Sequence, residues 1–478
     1  MANIEQFFID GEWVDPIDRT VMDRVDPATG NRIGHVVLGS SADVDRAVQA
    51  ATRAFETFQH SSRQERIALF DRIITGLKAR KVDLANAITR DIGVPSWFAE
   101  GYQTDMAAAH FIEARRLLED YPFEYQMGAS VVRREAFGVV GLITAWNWPA
   151  QIIAIKAAPA LAAGCTIVWK PSEFACETAV IIAQIIADAG APPGVFNLVF
   201  GDGPGVGEAI STHPGIDLIS FTGSKRAGVA ISKAAADTIK SVHLELGGKS
   251  ANIIMPDADL TVAVPDGVRR AYFNSGQSCI APTRMLVHKD QLSEVIAIAT
   301  EAAASMTMGD PLAADTNLGP LANFAQFSRV QAFIQSGIDE GATLAHGGLG
   351  LPEGLEAGFF VRPTIFSDVT PEMQIAREEI FGPVLCILPY ADEEDAIRIA
   401  NDTTYGLAGY VYSGDIATAE RVGARLRAGR IFLNGAQNNA VAPWGGYKES
   451  GNGRETGVFG LETFLEVKAV LGQAPIAA

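Results

Sequence analysis

FGVVGLITAWNWP, residues 137–149, and GCTIVWKPSE, residues 164–173, decide the fold. Each begins as a run of β-branched and apolar residues with no polar alternation, so each reads as a strand buried on both faces. Each then breaks into a polar, proline-containing loop, at Asn147 and at Lys170. Outward from them the pattern repeats. TAVIIAQIIADAGAPPG (178–194) reads as a helix ended by Gly190 and two prolines. VFNLVFGDG (195–203) and IDLISFTGS (216–224) are further strands, and KRAGVAISKAAADT (225–238) is a helix. SVHLELGGKSANIIM (241–255) carries two short strands. Strands alternating with helices predict a parallel sheet covered on both sides.

A second block of this kind runs from about 280 to 440. TRMLVHK (283–289), ATLAHGG (342–348), VLCILPY (384–390), LAGYVYS (407–413) and GRIFLN (429–434) are strand-like. Before the first block, residues 41–118 read mainly as helices, with Ser41 or Asp43 as the first N-cap. YPFEYQMGASVVRRE (121–135) does not pack as a helix and suits an exposed hairpin. FLEVKAVLG (464–472) is a lone strand with no helix of its own, suited to pairing with an edge strand, of this chain or another. No low-complexity linker separates the units, so a site between them is expected.

The 478 residues carry 38 Lys+Arg against 56 Asp+Glu, a formal charge of −18. Such a surface lacks the clustered cations that non-specific nucleic-acid binding or docking on anionic lipid requires. The N-terminus has neither a basic n-region nor an apolar h-region, and no apolar stretch reaches the ~20 residues of a membrane span. Four cysteines without paired spacing point to a reduced compartment, taken as the cytoplasm. The seven histidines form no metal-binding motif, and no metal is expected.

The cysteines serve as controls for one another. Cys386 lies inside an apolar strand, Cys165 just before one and Cys176 at a helix start. These are ordinary places for a small hydrophobe. Cys279 differs: it stands in FNSGQSCIAPTR, a polar, glycine-containing loop ahead of a strand. Glu245, in LELGGK (244–249), is an acid among apolar residues at a strand end. An exposed strand-end carboxylate is the commoner case; if buried, its pKa rises toward the working pH. There is no proper GxGxxG: GDGPGVGEAI (201–210) has glycines at the wrong spacing. SFTGSKRAG offers instead a strand, a turn at Gly223 and a helix starting at Ser224, whose N-terminus can hold a pyrophosphate. Ser224 also reads as a plain helix cap, and the two roles are compatible.

FNSGQSC resembles the cysteine signature of the aldehyde dehydrogenase superfamily, and LELGGK its glutamate signature. WNWP (146–149), KPSE (170–173), FTGS (221–224), EEIFGPV (378–384) and PWGGYKESGNGRE (443–455) follow the family's order, so the resemblance covers essentially the whole chain. It implies NAD-dependent oxidation of an aldehyde to a carboxylic acid through a thiohemiacetal and a thioester on Cys279. In that scheme Asn147 and the Cys279 N–H hold the oxyanion, Glu245 activates water, and Lys170 is counted with them in the catalytic set. Asn147 alone reads equally well as a turn residue. Glu455 matches a glutamate that passes protons to solvent, or a surface salt bridge. For the cofactor the resemblance implies Trp146, Lys170, Glu173, Gly223, Ser224, Gly247, Glu379 and Phe381; Phe381 also suits a core position. Glu173 would accept from both ribose hydroxyls and repel a 2′-phosphate, which favours NAD over NADP.

Trp148, Ile155 and Asn438 are implied as the substrate-pocket lining. The loop NGAQNNAVAPWGG (434–446) carries Asn and Ala where relatives often carry aromatics, which predicts a wider or more polar pocket. No charge at these positions suits a semialdehyde or betaine aldehyde. The implied fold is two parallel-sheet α/β domains, a Rossmann-like cofactor domain and a catalytic domain, plus a small β oligomerisation arm. The expected boundaries are 1–117, 137–248 and 449–462 for the cofactor domain, 249–448 for the catalytic domain, and 118–136 with 463–478 for the arm of a homodimer or homotetramer.

Overall fold

The computed structural model describes residues 4–473; residues 1–3 and 474–478, the ends of the expected cofactor domain and arm, lie outside the described residues. Two doubly wound sheets dominate. The first has eight strands, and its central five are parallel: Ser241–Glu245, Leu218–Thr222, Val139–Ile143, Thr166–Lys170 and Phe196–Leu198, in that order across the sheet. The chain enters at Val139–Ile143, steps twice to one side, then returns to add Leu218–Thr222 on the other side. The order reverses between Val139–Ile143 and Leu218–Thr222, and in open α/β sheets ligands bind at the carboxyl ends of strands at such a switch point.

The second sheet has seven strands, all parallel except the edge strand Thr343–His346. Only residues 246–250 separate Glu245, the last residue of one sheet, from Ala251, the first of a strand in the other. The carboxyl edge of the first sheet therefore leads directly into the amino edge of the second.

The hairpin Glu124–Met127/Ser130–Ala136 forms in the 121–135 segment, and the C-terminal strand Leu465–Leu471 pairs antiparallel with Ser130–Ala136 of the same chain. That strand does follow a helix, Gly457–Thr463, too short and glycine-rich for its periodicity to show in the sequence. The first helix is capped by Ser40, not by Ser41 or Asp43. Ser40 and Asp43 form a capping box, so Asp43 acts from the third helical position.

Between the two deciding strands lies a helix, Pro149–Ala163, in which every residue but Gln151 is buried. Apolar all round, it shows no amphipathic period, because it is wrapped on all sides. Proline at its first position is well tolerated there, since that N–H has no intrahelical partner.

Candidate active site

Asn147 sits in the loop between the strand Val139–Ile143 and the helix Pro149–Ala163, and is 4 % exposed. Its Nδ2 donates to the Gln277 carbonyl at 2.9 Å. Its own carbonyl accepts from Asn274 Nδ2 at 2.8 Å and from Gln103 Nε2 at 3.3 Å. The cysteine loop is thereby fastened to the switch point of the first sheet. Asn274 and Ser275 take left-handed backbone conformations, φ 56° and 54°, which cost energy for non-glycine residues. Side-chain bonds hold the turn: Ser275 Oγ donates to Gly319 O at 2.9 Å, and Gln277 Oε1 accepts from Ala322 N at 3.0 Å.

Cys279 follows this turn and is partly exposed, whereas Cys165, Cys176 and Cys386 are buried. Its surroundings and the carboxylates of Glu245 and Glu379 push its thiol pKa up. The paired glycines of LELGGK leave room for the site. A Cβ at Gly248 would lie 2.4 Å from the Cys279 carbonyl oxygen, and one at Gly247 2.3 Å from Glu379 Oε2. No side chain larger than hydrogen fits either place without moving the Cys279 loop or Glu379.

Glu245 is 6 % exposed. Its Oε2 accepts from the Trp444 indole N–H at 2.9 Å, and its Oε1 is buried with no hydrogen-bond partner in the protein. Desolvation, then the like charge of Glu455, raises its pKa to about 8; Lys156 opposes them. Glu455 is 8 % exposed and receives a 2.5 Å hydrogen bond from Lys156 Nζ, which also donates to Ser220 Oγ at 3.0 Å. Glu455 is thus in a buried ion pair, not the surface salt bridge its sequence also allowed.

A cavity of about 1610 Å³ joins these groups. Cys279, Glu245, Asn147 and Glu455 all line it, as do Trp148, Ile155 and Asn438. So do Trp146, Gly223, Ser224, Gly247, Glu379 and Phe381. Lys170 and Glu173 do not. They stand at the end of the neighbouring strand, where Lys170 Nζ donates to the Pro171 carbonyl at 3.0 Å and reaches Glu173 Oε2 at 3.5 Å. Ser224 caps the helix Lys225–Ala236 by accepting from Ala227 N, which puts a helix N-terminus on the cavity wall. Glu379 accepts from Gly248 N at 3.0 Å, and burial raises its pKa to about 7. Phe381 is not in the core; its backbone is left-handed, and its ring lies edge-on to Trp146 at 5.5 Å.

The wall opposite is aromatic. Phe98 contacts the rings of Phe273 at 4.3 Å, Trp148 at 5.2 Å, Tyr102 at 5.3 Å and Trp97 at 5.7 Å. A π-helical turn, Ala99–Gln103, places Tyr102 in this group, and such turns recur at functional sites. The 434–446 loop brings no ring except Trp444, as its composition predicts. This wall is nonetheless apolar, because Trp148 and Phe273 are joined there by the rings of the helical segment at 96–103, which no sequence motif flags. Neither Trp444 nor Lys156 is among the site residues that the sequence points to. A lone lysine in a fully buried helix is the one signal that singles Lys156 out.

The arrangement combines an accessible thiol, an amide donor, a buried carboxylate and a buried ion pair around one cavity. Among the described residues no helix is long and apolar enough to cross a membrane. Residues 13–470 match the model of the aldehyde dehydrogenase family. The chain is 52 % identical over 473 residues to the 3-succinoylsemialdehyde-pyridine dehydrogenase of a Pseudomonas species, covering 99 % of both chains. It is 50 % identical to aldehyde dehydrogenase C of Pseudomonas syringae, a cysteine-to-alanine mutant solved with NAD+ and octanal (TM-score 0.98; 99 % and 98 % of the two chains covered). An aldehyde dehydrogenase from Bartonella henselae superposes at a TM-score of 0.96 with 43 % identity, over 98 % and 99 % of the chains. With this coverage and this fold, the chain belongs to the aldehyde dehydrogenase family and is an oxidoreductase.

Proposed function

We propose that the protein oxidises apolar, aromatic or extended aldehydes to carboxylic acids with NAD, through a thioester on Cys279. The observation that carries this reading is the convergence on one cavity of Cys279, the only cysteine that is not buried, with Asn147 and Glu245. The Cys279 thiol gives up its proton to solvent in the cavity, and Sγ, as the thiolate, bonds to the aldehyde carbon. The carbonyl oxygen becomes an oxyanion. An Asn147 side-chain amide has two N–H bonds and spends one on Gln277, so the other can meet the oxyanion together with the Cys279 N–H. Bound NAD supplies the acceptor for the hydride released when the oxyanion collapses. Glu245 then takes a proton from water, the water oxygen bonds to the thioester carbon, and the C–S bond breaks to return the thiolate. Glu455 and Lys156 carry the proton onward.

The cavity fits a dinucleotide. It lies at the switch point of the first sheet, is large enough for cofactor and substrate together, and presents a capped helix N-terminus for a pyrophosphate. Gly223, Ser224 and Trp146 would hold that end, and Gly247, Glu379 and Phe381 the nicotinamide end. Lys170 and Glu173, off the cavity wall, would meet the adenosine ribose, with Glu173 favouring NAD over NADP.

The eight-stranded sheet and its helices form the cofactor domain in this reading, and the seven-stranded sheet the catalytic domain. The three-stranded sheet, with Met127, Val467 and Leu471 exposed, forms the oligomerisation arm of a dimer or tetramer. The free cysteines suit the cytoplasm. The aromatic wall supports the substrate class, and so do the pyridine-bearing semialdehyde in one relative's name and the octanal in another's structure.

The test is NADH formation from a panel of aliphatic, aromatic and charged aldehydes with NAD and with NADP, beside Cys279→Ala. Activity that favours aromatic or long-chain aldehydes and NAD, and is lost in Cys279→Ala, is expected. Activity that survives in the variant would overturn the mechanism.

A further inference from the structure

Trp444 is bonded to both glutamates of the proposed relay, to the Glu245 carboxylate by its side chain and to the Glu455 backbone by its own backbone. Its indole N–H donates to Glu245 Oε2 at 2.9 Å. Its backbone forms a reciprocal pair with Glu455: Trp444 N donates to Glu455 O at 2.8 Å, and Glu455 N donates to Trp444 O at 2.7 Å. The ring is itself held, because the Arg430 guanidinium lies 5.0 Å from its centroid. Arg430 also donates to the carbonyls of Ala442 and Pro443, the two residues before Trp444. The indole therefore has little freedom to leave Glu245.

We propose that Trp444 is a positioning residue for thioester hydrolysis: its indole N–H aims the Glu245 carboxylate, while its backbone fixes Glu455 beside it. This rests on the reading of Glu245 as the water-activating base. An indole N–H only donates, so it bonds an acceptor oxygen and stabilises the ionised carboxylate. With Oε2 occupied, Oε1 is the oxygen left to take a proton from water; it is buried and has no partner in the protein. In the step concerned, the water proton moves to Oε1, the water oxygen bonds to the thioester carbon, and the C–S electron pair stays on Sγ of Cys279. A phenylalanine at 444 would keep the ring against Arg430 and the wall against substrate, but would have no donor. The indole thus separates two roles that the cavity wall alone would merge, shaping the pocket and setting the base.

The experiment follows decay of acylated Cys279 by quench and mass spectrometry across pH, in wild type, Trp444→Phe, Glu245→Gln and the double variant. In Trp444→Phe the acid limb of hydrolysis is expected to move up by about one pH unit, roughly a tenfold loss below the limb. The first-turnover NADH burst should change by less than about twofold, and the double variant should be no slower than Glu245→Gln, because Trp444 acts through Glu245. An unmoved limb with a raised KM would overturn the inference and leave Trp444 as a substrate wall. Multiplying losses in the double variant would overturn it too. A wild-type protein that forms no NADH from any aldehyde would overturn the enzymatic reading, and this inference with it.

Discussion

Lys156 and Glu455, 299 positions apart in the chain, meet through a 2.5 Å hydrogen bond, with Lys156 only 1 % exposed and Glu455 on the cavity wall. The pair ties the buried helix Pro149–Ala163 to the segment that leads into the C-terminal strand. Breaking a buried pair from one side leaves a charge without its partner, which costs about 3–5 kcal/mol. Lys156→Met is therefore expected to lower stability by about that amount in denaturant titration. Lys156→Met with Glu455→Leu should recover most of it, since no charge is then left buried. Thioester hydrolysis should stay slow in both, because the relay is gone in both. Full recovery of hydrolysis in the double variant would remove Lys156 and Glu455 from proton transfer.

Glu245 predicts a stability that depends on pH. Its pKa is about 8 in the folded protein against an ordinary 4.5. Below pH 4.5 it is protonated in both states and costs nothing. Between 4.5 and 8 the unfolded chain releases the proton that the folded chain keeps, so stability falls as pH rises through this window. Glu245→Gln removes the penalty. The variant is expected to be more stable than wild type near pH 8, on the order of a few kcal/mol, and no more stable near pH 4. Melting curves of the two proteins across pH check this; a constant difference would mean that the penalty is not electrostatic. In the proposed mechanism the same substitution removes the base, so stability and function are set against each other at one carboxylate.

How far the site was legible follows from the kind of signal each residue leaves. Cys279, Glu245 and Asn147 lie in polar breaks between apolar strands, and the break itself is visible, because buried strands cannot carry such residues without purpose. The strand order was not visible. Nothing local distinguishes Leu218–Thr222 from Phe196–Leu198, yet one returns across Val139–Ile143 and the other does not, and that return makes the switch point. The helix Pro149–Ala163 was hidden because total burial erases the period by which helices are read. The aromatic wall was hidden for another reason. Phe98 and Tyr102 look like ordinary helix residues until the fold sets Phe98 against Trp148 and Phe273, and the π-helical turn sets Tyr102 against Phe273.

Tyr102 offers a test of that wall that spares the core. It is 45 % exposed, so truncation leaves little void, yet its ring lies 5.2 Å from Phe273 and 5.3 Å from Phe98 in the cavity lining. An aromatic contact of this kind is worth about 0.5–1.5 kcal/mol. Tyr102→Ala is expected to reduce kcat/KM for benzaldehyde and for long-chain aldehydes by about 3- to 10-fold. Acetaldehyde, too short to reach the wall, should be oxidised as before. An equal loss for all aldehydes would place Tyr102 outside substrate selection.

Cys279 is the remaining prediction, and it needs no substrate. Three of the four cysteines are buried, so iodoacetamide should label one thiol in the native protein. The thiolate is the reactive form, and here desolvation in the cavity and the charges of Glu245 and Glu379 disfavour it. Labelling should therefore be slow at neutral pH and accelerate toward alkaline pH. Glu245→Gln takes away the nearer part of that repulsion. The variant should label faster than wild type above pH 8, where wild-type Glu245 carries its charge, and the two rates should converge below it. Mass-spectrometric rates for the modified peptide across pH measure both limbs. Faster labelling of wild type at every pH would mean the opposite relation, with Glu245 drawing the proton from the thiol before the alkylating agent arrives.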